Sequence, residues 1–165
     1  MTLKEIVLSE FDDEVALTRR VLDRLPDAAW TWKPHERSMT LGGLATHLAQ
    51  IPYWGTAILK HDGYDIDPRQ PRAIEKPSRA EALATFDGHA AEARAALVER
   101  TEAELTAPWT LRSEGHLVMS LPRVSAVRRF LLNHLVHHRG QLTVYLRMHN
   151  VPLPPIYGPS ADEPM

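Results

Sequence analysis

Two histidines four residues apart, His134 and His138, lie in the run FLLNHLVHHRGQLTVYLRMHN, Phe130 to Asn150. On a helix this spacing stacks them on consecutive turns of one face. Both imidazoles can then point at one ion, about 2.0–2.1 Å from each nitrogen if it is zinc. At about 100° per residue, Val127, Leu131, His134, His138, Gln141, Tyr145 and Met148 follow in steps of four and three. That stripe predicts a seam facing the protein interior, with neither histidine at its edge. Buried imidazoles without partners would each cost roughly 1–3 kcal/mol, which a shared metal removes. A third ligand must come from another helix, and His47 is the candidate. It sits in TLGGLATHLAQIPYW on the same side as Leu44 and Ile51. Three protein ligands leave positions open for water or substrate, as in catalytic rather than closed structural sites.

Several neighbours have two readings. His137, about 60° from His134 on the wheel, either supports the site or packs the helix. Gln141 either hydrogen-bonds a ligand histidine or a metal-bound water, or is a satisfied buried amide. Tyr145 and Tyr157 carry hydroxyls that could reach the site, with core packing the plainer role for Tyr145. Asp162 and Glu163 read as a solvated chain end; if the tail folds back, one could orient a ligand imidazole. Trp30, Trp32 and Trp54 form either a pocket wall or a hydrophobic plug. His35, His61, His89, His116 and His149 read as surface or loop residues.

Four helical patterns must position these groups. The first spans about 3–25 and stops at Pro26. The second spans about 41–60, capped by Ser38 or Thr40, with Pro52 inside it as an expected kink. The third spans about 79–105 and is alanine-rich, with Leu83, Phe86, Ala90 and Leu97 inward. The fourth spans about 122–149, with Pro122 in its first turn. Residues 62–78 read as a long connection, and 107–120 as a small hairpin or extended crossover. The predicted fold is all-α: one domain, an antiparallel four-helix bundle with a long connection and a small hairpin before the last helix.

The bulk composition narrows the chemistry. The 165 residues include no cysteine, so iron–sulfur clusters and thiolate zinc sites are excluded, and any thiol must come from a substrate. A formal net charge of -2 gives no global pull towards nucleic acid. No apolar run approaches the ~20 residues of a membrane span, and a soluble cytoplasmic protein is expected.

The stretches WKPHERSMTLGGLATHLAQIPYW and NHLVHHRGQLTVYLRMHNVPLPPIYGPSADE resemble the DinB family, within the DinB/YfiT-like metalloenzyme superfamily. The resemblance implies a four-helix bundle, frequently a homodimer. It also implies a divalent metal, often nickel or zinc, on the histidine of LATHLA, His47, and the first and last of HLVHH, His134 and His138. Iron or manganese would suit the same ligands. Characterised members are thiol S-transferases using a low-molecular-weight thiol such as bacillithiol or mycothiol, while others act on different small molecules. The expected function is therefore a metal-dependent enzyme of thiol-transferase type acting on a small-molecule substrate. The alternatives are a metal-dependent hydrolase and a non-enzymatic, stress-related metal or small-molecule binding protein.

Overall fold

The computed structural model describes residues 1–69 and 74–164. Helix α1 runs Leu3–Leu22, opened by a capping box in which Thr2 and Glu5 each bond the other's backbone N–H. It ends three residues before the predicted Leu25. Pro26 bars Leu25 from helical dihedrals, and the last turn tightens, with Arg24 and Leu25 donating to the carbonyls of Val21 and Leu22. Helix α2 spans Leu41–Lys60 as predicted. The Thr40 side chain accepts from Gly43 N at 2.9 Å, and the helix continues through Pro52.

The third predicted helix is split. Helix α3 covers Arg79–Glu99, and α4 covers Glu102–Thr106. The break falls where Thr101 and Glu104 form a second capping box, a local start signal stronger than the continuing apolar period. The expected hairpin is present: β2 (Pro108–Ser113) pairs antiparallel with β3 (His116–Pro122). Its turn places Glu114 and Gly115 at φ 49° and 79°, a left-handed pair that suits glycine at the second position. The predicted long connection also contains a strand, β1 (Gly63–Ile66), which pairs parallel to β2. The result is a three-stranded sheet in the order β1-β2-β3.

The structure is therefore mostly helical with a small sheet, and the sheet is what an all-α expectation omits. The last helical stretch begins as α5 (Arg123–Val127), passes through a π-turn (Arg128–Leu132) and continues as α6 (Asn133–Met148). Helix α1 packs on α3 and α6, and α2 packs on the same two helices. Leu44, Leu48, Ile51 and Ile58 of α2 are all buried, with Phe86, Ala93, Ala96 and Leu97 of α3. Gly55 permits close approach here: a Cβ at that position would lie 2.7 Å from the Leu131 side chain and 3.3 Å from Ala93 Cβ.

The π-turn corrects the predicted seam. Val127, Leu131, Leu135 and Arg139 are all buried at successive spacings of four. On an ideal α-helix the first and last would diverge by about 120°. One wider turn takes back most of that angle, so the four stay on one face. The interior face of α6 becomes Leu135, Arg139, Leu142 and Leu146. Gln141 and Met148, predicted inside, are exposed, and His134 is only half-buried. The histidines thus stand at the edge of the apolar face, not in its middle.

Candidate metal centre

Helices α2 and α6 bring the three predicted histidines together. The Nε2 atoms of His47 and His134 are 3.2 Å apart, those of His47 and His138 3.1 Å, and those of His134 and His138 3.0 Å. Three nitrogens about 2.1 Å from one ion lie about 3.0 Å apart at right angles and about 3.4 Å apart in a tetrahedron. The observed triangle falls within that range, so the group could hold a metal ion on one face.

The protonation states suit this role. His138 Nδ1 donates to the Gln141 side-chain oxygen at 2.7 Å, which leaves the Nε2 lone pair turned to the shared point. Burial, and then the nearby His138 and His134, push His47 down to about 4. Burial also lowers His134 and His138, offset in part by the Phe130 carbonyl for the first and by Gln141 for the second. At neutral pH all three are neutral imidazoles, the form that ligates.

Two cavities meet at His47. One, of about 250 Å³, is apolar and lined by Trp54, Ile66, Trp109, Leu111, Phe130, His47 and His134. The other, of about 690 Å³, is more polar and includes Thr40, Thr46, His47, Gln50 and Glu75.

The DinB family's sequence pattern matches residues 1–164. The chain belongs to the DinB family. One relative, the uncharacterized protein YrdA of Bacillus subtilis strain 168, is 26% identical over 156 residues, 94% of this chain and 89% of its own. A crystal structure of a DinB-like protein from Bacillus cereus ATCC 10987 matches with a TM-score of 0.72 at 24% identity. It covers 93% of this chain and 97% of its own. A DinB-like protein of Bacillus subtilis, YjoA, gives a TM-score of 0.68 at 19% identity over 90% of this chain and 94% of its own. At these identities the two structures bear on the fold alone.

Other predicted residues of this DinB-family chain lie elsewhere. His137 is exposed and packs its ring edge-on against His138, 4.6 Å between centroids, outside the ligand triangle. The Tyr145 hydroxyl donates to the Met39 carbonyl at 3.2 Å, and its ring meets Trp32. Tyr157 is bonded to Arg139 and Glu14, away from the triad. The tail does fold back, but its carboxylates meet arginines and not imidazoles: Asp162 pairs with Arg147 and Glu163 with Arg24. Trp54 lines the apolar cleft, whereas Trp30 is buried and donates to the Lys76 carbonyl. His35, His61 and His116 are exposed as expected; His89 and His149 are half-buried against Tyr53 and Trp32.

Sequence reasoning missed Glu75, which lies in the predicted connection yet lines a cavity with His47. It also missed Phe130, Trp109, Leu111 and Ile66, because no local spacing links a π-turn to two strands. Buried Arg123 and Arg139 gave no signal either. Arg123 donates to the carbonyls of Ile58 and His61 and pairs with Asp62, closing the C-terminal end of α2.

Proposed function

We propose that this protein is a divalent-metal-dependent enzyme acting on a small molecule, by thiol S-transfer with a low-molecular-weight thiol. The observation that carries the reading is the His47–His134–His138 triangle, with Nε2 separations of 3.0–3.2 Å, facing two cavities of unlike polarity. His47, His134 and His138 would hold the ion. Zinc or nickel suits three imidazoles, and iron or manganese is compatible. When bound, such an ion supplies Lewis acidity that favours the thiolate of a small thiol at neutral pH.

The chain's own groups do the rest. Gln141 fixes the tautomer of His138. The polar cavity seats the thiol's hydrophilic part against Gln50 and Glu75. The apolar cleft excludes water from the electrophile, which reacts as the sulfur–carbon bond forms. The leaving group departs with its electron pair and the thiol proton passes to solvent. The surrounding architecture is taken as a single domain whose helices α1, α2, α3 and α6 form an antiparallel four-helix bundle, supported by their mutual packing and by family membership.

Zinc- or nickel-loaded protein incubated with a panel of low-molecular-weight thiols and monochlorobimane is expected to form the conjugate, and His134→Ala to abolish it. Tight metal binding with no turnover on any thiol would defeat the transferase reading. Glu75, which lines the same cavity as His47, supports a second reading, metal-assisted hydrolysis with this carboxylate as base. Ester hydrolysis lost in both His134→Ala and Glu75→Gln would favour it.

A further inference from the structure

The apolar walls of the cleft come from four separate elements of the chain. Trp54 comes from α2, Ile66 from β1, Trp109 and Leu111 from β2, and Phe130 from the π-turn. The sheet and the π-turn are the features a plain helical bundle lacks, and both contribute walls here. Trp109 is fully buried, and its ring centroid lies 5.9 Å from that of Phe130 at a tilt of 54°. Its indole Nε1 has no hydrogen-bond partner among the described residues. A buried donor left unpaired is costly and calls for an explanation.

We propose that this cleft is a binding site for an uncharged, planar aromatic group of one or two rings, held against Trp54, Trp109 and Phe130 beside the three imidazoles. The inference rests on the enzyme reading above and names the electrophilic half of its substrate. Size argues for it: an apolar cavity of ~150 Å³ takes a benzene ring, so the cleft's 250 Å³ suits one or two rings. Wall chemistry argues for it as well, because aromatic side chains hold planar rings by offset and edge-on contacts. Among the described residues that line it there is no carboxylate, lysine or arginine.

The test is 2-naphthol titrated into the full-length chain, zinc-loaded and metal-free, followed by calorimetry and by the indole N–H resonances. The chain has four tryptophans. Saturable one-to-one binding is expected to move the Trp54 and Trp109 signals and leave Trp30 and Trp32 in place. Ile66→Trp, which fills the cleft, is expected to weaken binding at least tenfold while zinc affinity stays within threefold of wild type. Absence of saturable binding, or shifts confined to Trp30 and Trp32, overturns the proposal. Undiminished affinity in a folded Ile66→Trp does the same. Zinc titration separates the two readings: loss of zinc binding with naphthol binding intact defeats the metal centre and leaves the cleft standing.

Discussion

The proton on His138 is placed by Gln141, whose oxygen lies 2.7 Å from Nδ1 although the residue is exposed. An imidazole without that acceptor is free to carry its proton on Nε2, the atom that would ligate an ion held by the three rings. Partners of this kind typically affect metal affinity by about 10–100-fold. Gln141→Ala is therefore expected to weaken zinc binding about tenfold in a chelator competition, with Gln141→Glu restoring most of it. Equal affinity in wild type and Gln141→Ala would remove the amide from the site. The three histidines that meet were legible from residue type and spacing. The role of Gln141 was legible only as one of two options, because its contact depends on where the edge of the buried face falls.

At the scale of elements, the crossing of α2 with α3 and the π-turn sets the distance between His47 and the histidine pair. Gly55 sits in that crossing, with the fully buried Leu131 and Ala93 against it. A branched side chain there must push the elements apart, and overpacking of this type costs about 1–3 kcal/mol. Gly55→Val is expected to lower unfolding free energy by that amount in urea denaturation and to loosen zinc binding as well. An unchanged midpoint would mean that Leu131 yields without strain. Helix α2 was predicted with its boundaries because its cap and apolar period agree. The split at Thr101 was also written in the sequence, as Thr-x-x-Glu, but the longer period masked it. Strand β1 was not readable: four residues, Gly63–Ile66, carry too little pattern until β2 lies beside them.

Across the whole molecule, the metal-free protein carries three neutral imidazoles with depressed pKa values. The unfolded chain takes up protons on these rings near the ordinary value of 6.5, while folded His47 resists down to about 4. The unfolded state thus binds more protons inside that window, so stability is full above pH 6.5 and is lost as pH falls towards 4. The melting temperature of the metal-free protein is expected to drop between pH 7 and pH 4.5, and to drop less in His47→Gln. Parallel losses in the two proteins would show that other groups control the acid response. The lowered carboxylates Asp162, Glu163 and Glu104 titrate below their ordinary values and act at still lower pH. Asp162 and Glu163 help tie the tail to α6 and to the turn that follows α1. Arg139 strengthens that link from inside, with its guanidinium 2.7 Å from the Glu14 carboxylate and 2.6 Å from the Tyr157 hydroxyl.

Residue types and their order along the chain determined the helices, the absence of thiolate ligands, and the identity of three histidines that meet. These follow from local rules: caps, apolar period and the i,i+4 geometry of one helix. Tertiary structure alone decided the phase of α6, because a single π-turn shifts every residue after it without leaving a periodic trace. It also decided the walls of the cleft, since Ile66, Trp109 and Phe130 become neighbours only when a strand, a hairpin and a π-turn pack together. Contacts between residues that far apart in sequence depend on the summed packing of the whole chain.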